Sequence, residues 1–192
     1  MPTENLSIRI GIILGSNRPG RICRTIGEWV RQTMQHDNLT IDLIDLEEIN
    51  LPFLDEPELP AVHNYQKEHT KRWSKQISSY AGFVLLLPQY NWGYPAVLKN
   101  ALDYLYDEWA GKPVSIMCYG AHGGFQAALG IKLVTQGLNM YNMATNPSFD
   151  IGKEMFDAQG QFQDIDTAFA RYRKSLQAVS SEFVNLLKKE PE

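Results

Sequence analysis

Gly11-Ile12-Ile13-Leu14-Gly15-Ser16-Asn17-Arg18-Pro19-Gly20-Arg21 ends the chain's first apolar run, which starts at Ile8, with a loop of small, polar and basic residues. A helical pattern begins directly after it. Strand, small-residue loop and helix in that order turn main-chain N–H groups toward a bound phosphate. Ser16 adds a hydroxyl, and Arg18 and Arg21 add guanidinium donors that can neutralise a phosphate dianion. An ordinary strand-to-helix turn with solvated arginines accounts for the same residues. The loop alone does not separate the two readings.

Working outward, Ile8 to Leu14 is apolar and rich in β-branched residues, the pattern of a strand buried on both faces. From about Arg21 to Gln35, Ile22, Ile26, Trp29, Val30 and Met34 recur at helical spacing. Leu39 to Leu46 alternates polar and apolar residues, as a peripheral second strand would. Glu47 to Asn64 carries Pro52, Pro57 and Pro60, which suppress regular structure, and a connection of this length often borders a site. Tyr65 to Tyr80 reads as a helix. Gly82 to Leu87, closed by Pro88, is the most apolar run and reads as a central parallel strand.

Pro95 then opens a helix whose stripe runs from Val97 to Trp109. Val114 to Tyr119 is a fourth strand, and Phe125 to Gln136 a helix ended by Gly137. Met140 to Ala144 is a short fifth strand, Phe149 to Gln163 is loop-like, and Asp166 to Leu187 forms one last helix. This alternation predicts an α/β fold: a doubly wound, five-stranded parallel sheet of flavodoxin-like order 2-1-3-4-5 with helices on both faces.

The 192 residues, 44% hydrophobic and 21% charged, suit a single domain over 1–192. A formal charge of −4 provides no basic field for nucleic acid, so the local cluster Arg18, Arg21 and Arg24 points to a small anion instead. Met1-Pro2-Thr3-Glu4-Asn5 does not read as a signal peptide, and no apolar run approaches the ~20 residues of a membrane span. Cys23 and Cys118 have no metal-ligand spacing and read as two reduced thiols, which predicts a cytoplasmic protein.

In a doubly wound sheet, ligands bind beyond the carboxyl ends of the strands, at the switch point between the first and third. The loops after the first, third and fourth strands therefore converge. Pro88-Gln89-Tyr90-Asn91-Trp92-Gly93-Tyr94 offers aromatic faces and amides to a planar heterocycle. Gly120-Ala121-His122-Gly123-Gly124 lets backbone approach a ring closely. A phosphate site at one end and a ring site at the other describe a mononucleotide such as FMN. Tyr90, Trp92 and Tyr94 also suit a protein–protein patch, which is compatible with a flavin site. His122 reads as a general acid, a metal ligand or a locally bonded side chain. His36, His63 and His69 have no assignable partners, and Asp55, Glu56 and Glu58 read as solvated. No P-loop, Gly-x-Gly-x-x-Gly fingerprint or Gly-x-Ser-x-Gly elbow is present.

On these motifs, together with Leu98-Lys99-Asn100-Ala101-Leu102-Asp103, the chain resembles the NADPH-dependent FMN reductases of the flavodoxin-like superfamily, with their quinone reductase and azoreductase relatives. The resemblance runs from about Ile8 to the final helix. It implies that Ser16, Arg18 and Arg21 contact the FMN phosphate and that Pro88, Gln89, Tyr90, Asn91 and Trp92 line the isoalloxazine ring. Tyr119, Gly120, Ala121, Gly123 and Gly124 would cover the pyrimidine side. It also implies NADPH or NADH as co-substrate, a small-molecule acceptor, and a homodimer or homotetramer. The third loop departs from the family in carrying Ala121 and His122 where a serine often follows the fourth strand. The reaction expected is reduction of FMN by NAD(P)H and transfer of the electrons to a quinone, azo compound or free flavin in ping-pong order, with no essential acid–base side chain. A flavodoxin-type electron carrier and a non-enzymatic protein-binding module are the alternatives.

Overall fold

Leu14 ends a strand whose last five residues are buried, and the sheet is built outward from it. In the computed structural model, which describes residues 7–188, β1 (Ile8–Leu14) is buried from Ile10 onward. Such a strand needs partners on both edges and helices on both faces. It pairs in parallel with β2 (Leu39–Asp45) on one side and β3 (Gly82–Pro88) on the other, and β4 (Pro113–Gly120) adds to β3. The order is β2-β1-β3-β4-β5, as expected for a doubly wound sheet. The reading of Met1 to Asn5 lies outside the described residues.

The sheet has six strands rather than five. β5 (Tyr141–Asn142) pairs with the start of β4, and β6 (Ser148–Asp150) pairs with its end, Cys118 to Gly120. One edge position is thus filled by two short pieces. Between them the ladder to β4 is interrupted, and the Asn146 side chain supplies the missing acceptor: its Oδ1 accepts from Ile116 N at 2.7 Å. Ser148 to Asp150 corrects the loop-like expectation for this region, and it matters because it carries Ile151 to the site.

α1 (Cys23–Thr33) buries Ile26, Trp29 and Val30. With the final helix it covers one face, over Ile10, Ile12, Val84 and Leu86. Asp45 caps a four-residue helix, α2 (Leu46–Ile49), by accepting from Glu47 N at 3.1 Å. The proline-rich segment after β2 is therefore less irregular than expected, with a further 3₁₀ turn at Pro60–Val62. α3 (Glu68–Ser78), α4 (Ala96–Asp103) and α5 (Phe125–Gly137) cover the other face, with Trp73, Leu98, Leu102 and Ile131 against Leu85, Leu87 and Ile116. α4 stops at Asp103, short of Trp109, which is buried in the following turns with its indole N–H on Leu102 O at 3.1 Å.

The expected single last helix is broken. α6 (Ile165–Ala168) and a 3₁₀ turn at Ala170–Tyr172 precede α7 (Arg173–Leu187). The break buries Phe169, which stacks on Phe149 of β6 at 5.1 Å and meets the edge of Trp29 at 5.3 Å. Aromatic burial of this kind stabilises by about 1.5–3 kcal/mol per side chain, enough to override helix continuity.

Candidate functional site

At the end of β1 the chain turns over Gly15, where a Cβ would meet Leu98 Cδ2 at 3.1 Å and Leu86 O at 3.3 Å. The turn lies that close to β3, and Gly15 N donates to Leu86 O at 2.8 Å. Ser16 is fully buried, and its hydroxyl shares a 2.9 Å hydrogen bond with that of Tyr90. Asn17 to Gly20 are exposed, Gly20 with φ of 71°. Among the described residues, the main-chain N–H groups of Asn17, Arg18 and Gly20 have no protein acceptor.

The three loop-side arginines differ. Arg18 is exposed and makes no ion pair among the described residues. Arg21 is folded inward, with one terminal nitrogen on Asp45 Oδ2 at 2.9 Å and against Glu47. Its other terminal nitrogen is buried with no partner among the described residues. Arg24 is committed to Asp45, Glu28 and Glu48 on the outer side of α1.

The loop after β3 is a tight hairpin. Tyr90 and Gly93 exchange hydrogen bonds of 2.9 and 2.8 Å, and both central residues, Asn91 (φ 47°) and Trp92 (φ 68°), lie in the left-handed region. That is a type I′ turn, natural for asparagine and strained for tryptophan. Trp92 is 73% exposed. Gln89 staples the neighbourhood: its N donates to Tyr119 O at 3.1 Å and its Oε1 accepts from Ala127 N at 3.1 Å.

After β4, Gly120 (φ 150°), His122 (φ 58°), Gly123 (φ 67°) and Gly124 (φ 70°) leave the usual backbone regions. Gly123 and Gly124 are needed for packing as well. A Cβ on Gly123 would meet Ser148 Oγ at 2.7 Å, and one on Gly124 would meet Cys118 Cβ at 3.0 Å. Beneath the three loops, burial pushes the Tyr119 hydroxyl well above its ordinary range. Burial likewise pushes the Cys23 thiol up to about 12.

Arg18, Arg21, Pro88, Gln89, Tyr90, Tyr119, Gly120 and Ala121 line one cavity of about 180 Å³. A larger one of about 680 Å³ shares Arg18 and Tyr90 with it and adds Asn17, Phe53 and Asn100. Ser16 lies beneath the loop, while Asn91, Trp92, Gly123 and Gly124 are not on either wall. Sequence reasoning missed Ile151 and Asn17 as lining residues. The proline-rich segment does border the site: Asn100 Nδ2 donates to Pro52 O at 2.7 Å and the Tyr104 hydroxyl to the same oxygen at 3.1 Å.

That segment is braced by side chains expected to be solvated or unpartnered. Asp55 accepts from the Tyr104 hydroxyl at 3.0 Å and faces His69 Nε2 at 2.9 Å, and the His69 bond holds its carboxyl below the ordinary range. Glu56 accepts from the N–H groups of Gln66 and Lys67, both at 2.9 Å. His63 meets Asp107 at 2.6 Å, and His36 Nδ1 accepts from Asn38 N at 3.2 Å.

The donor set fits a phosphomonoester bearing a flat ring. Arg18, with no ion pair, and Arg21, whose second terminal nitrogen has no partner among the described residues, line one end, next to a loop with free N–H groups at Asn17, Arg18 and Gly20 and with the Ser16 hydroxyl buried beneath it. Tyr90 and the glycine-rich backbone after β4 meet at the other.

Residues 8–154 match the family model described as NADPH-dependent FMN reductase. A NAD(P)H-dependent FMN reductase of Schizosaccharomyces pombe is 39% identical over 197 residues, covering 100% of this chain and 98% of that protein. A quinone reductase of Pseudomonas putida is 25% identical, covering 93% of this chain and 94% of the relative. Among solved structures, a flavoenzyme NAD(P)H:(acceptor) oxidoreductase from Paracoccus denitrificans superposes with a TM-score of 0.70 at 23% identity, covering 94% of this chain and 97% of that one.

Proposed function

The chain belongs to the NADPH-dependent FMN reductase family, and from that premise we propose how its three loops divide the work. The protein is an oxidoreductase that uses FMN with NAD(P)H as electron donor. In our reading Ser16, Arg18 and Arg21 hold the FMN phosphate, together with the free N–H groups of Asn17, Arg18 and Gly20. The segment from Pro88 through Gln89, Tyr90 and Asn91 to Trp92 lines the isoalloxazine ring. Tyr119, Gly120, Ala121, Gly123 and Gly124 cover its pyrimidine side. The observation that carries this is the Arg21 nitrogen left buried and unpaired beside an exposed Arg18, since an orphaned buried donor is costly unless an anion completes it.

Bound there, FMN would supply the redox chemistry between NAD(P)H and an acceptor. The protein positions and tunes it. Arg18 and Arg21 neutralise phosphate charge, the Ser16–Tyr90 hydrogen bond fixes the ring loop relative to the phosphate loop, and Gln89 anchors both to α5. One crevice serves donor and acceptor in turn, so the kinetics are ping-pong. The acceptor is a small molecule, a quinone, azo compound or free flavin, and the quinone reductase relative supports the first of these. No described helix is long and apolar enough to cross a membrane. We assign a single cytoplasmic domain over residues 1–192 that works as a homodimer or homotetramer without nucleic acid.

The visible spectrum of the purified protein tests the reading. A flavin spectrum that NADPH or NADH bleaches, and that a quinone restores, is the expected result. Parallel double-reciprocal plots against a quinone are expected to accompany it. A colourless protein that does not bind added FMN overturns it.

A further inference from the structure

Beside the crevice lies a third cavity, of about 650 Å³, which shares Ala121 and Ile151 with the one of about 180 Å³. Its walls come from the loop after β4, the segment after β6 and the turn between α6 and α7. Nothing in the FMN reading uses this space. Its volume lies within the ~300–1,000 Å³ of ordinary small-molecule sites. Ile151, Met155 and Ala168 give it apolar surface for a flat base, and Thr167 and Glu154 offer partners for sugar hydroxyls.

One charged group there, with 58% of its side chain exposed, is only half used. The Arg171 guanidinium lies 4.7 Å from the centre of the Tyr172 ring. Its Nη2 donates to the Tyr172 hydroxyl at 2.6 Å and to Asp150 Oδ2 at 3.3 Å. The same hydroxyl accepts from Asp150 N at 3.0 Å, which ties the arrangement to β6. Among the described residues, Nε and Nη1 of Arg171 have no acceptor. His122, from the facing loop, also lines the cavity. A preoriented guanidinium with free N–H groups is the group that reads a phosphate in two-point fashion.

We propose that this cavity seats the adenosine end of the pyridine-nucleotide donor, and that Arg171 reads the phosphate on its 2′ oxygen. This rests on the reductase reading. The shared wall at Ala121 and Ile151 lets a dinucleotide place its nicotinamide in the crevice and its adenosine here. Dinucleotide sites commonly separate the two donors in this way, an arginine favouring the 2′-phosphate and a carboxylate the free 2′-hydroxyl. Here both types occur as a pair. Asp150 is the counterweight that holds Arg171 in place and moderates its pull on phosphate.

The test uses the FMN-loaded full chain and two fragments, adenosine 2′,5′-bisphosphate and 5′-AMP, followed by titration calorimetry. The bisphosphate is expected to bind the wild type about tenfold or more tightly than 5′-AMP, without displacing FMN. Arg171→Ala is expected to bring the two fragments within about twofold while leaving 5′-AMP unchanged. Asp150→Asn is expected to act in the opposite direction and tighten the bisphosphate. The ratio of KM values for NADH and NADPH is expected to follow the same order. A bisphosphate that displaces FMN, or a ratio that Arg171→Ala does not alter while both donors still reduce the flavin, overturns this proposal alone. A flavin that neither donor reduces overturns the reductase reading and this proposal with it.

Discussion

Arg18 and Arg21 carry the same charge three residues apart, and their surroundings separate what each contributes. Arg18 is exposed, so under the proposed function Arg18→Ala removes only a ligand contact. The apparent FMN Kd is expected to rise about tenfold or more, the magnitude of a charge-assisted hydrogen bond, with the apo-protein Tm unchanged. Riboflavin, which lacks the phosphate, is expected to bind both proteins alike. Arg21 also answers Asp45, whose side chain is 3% exposed. Arg21→Ala is therefore expected to weaken FMN and also to destabilise the apo protein by about 1–3 kcal/mol, read by denaturant unfolding, because a buried carboxylate loses one partner. The two thiols make a pH statement. Burial pushes both Cys23 and Cys118 up to about 12. Their unfolded value is ~8.5, so their stabilising effect is fully present below that pH. It is lost as pH rises from there toward 12, because only the unfolded chain can ionise. The fall in Tm between pH 8 and 10.5 is expected to be shallower in Cys23→Ala than in the wild type.

The β3–α4 hairpin holds Trp92 in a conformation that suits glycine better. Strain of this kind costs on the order of 1 kcal/mol and persists where a site uses the geometry. Trp92→Gly is expected to raise the Tm while lowering FMN affinity, and a rise in Tm with unchanged affinity would show that the tryptophan serves no ligand. The pattern of residues predicted the hairpin's place but not its strain. β1 and β3 were legible because burial on both faces writes an uninterrupted apolar run, and the strand order followed from alternation of strand and helix. β6 was not, because three residues with only Phe149 buried carry no period, and their pairing is set by β4. The break before α7 was hidden because Phe169 keeps helical spacing while it serves the Phe149 stack. Within the candidate site, the convergence of the loops after β1, β3 and β4 on one cavity was readable from local chemistry and strand order. Ile151 and Arg171 were not, since only the β6 pairing and the α6–α7 turn bring them near Ala121. Asp55 and His69 failed for the same reason: their partners lie 14 to 49 residues away.

At the scale of the molecule, α5 has a face with no occupant among the described residues. Ala127 and Ile131 pack on the sheet, while Phe125, Leu129 and Leu133, spaced four apart, are 61%, 51% and 72% exposed. A soluble helix that is apolar on both sides needs a second surface to cover it. A second copy of this chain can supply one, since three equally spaced apolar side chains meet their own image across a two-fold axis. The stripe begins at Phe125, directly after the Gly120–Gly124 loop, so a partner docked there stands at the edge of the FMN crevice. This is the physical basis for the expected homodimer or homotetramer. Leu129→Glu with Leu133→Glu places two carboxylates on that face without touching the core. Light scattering after size exclusion is expected to show the wild type as an oligomer and this variant as a monomer of about half the mass or less. Because the contact adjoins the crevice, the monomer is expected to retain less FMN at equal protein concentration. A variant that keeps the wild-type mass assigns the subunit contact to another face. A monomer with undiminished FMN content makes each crevice complete within its own chain.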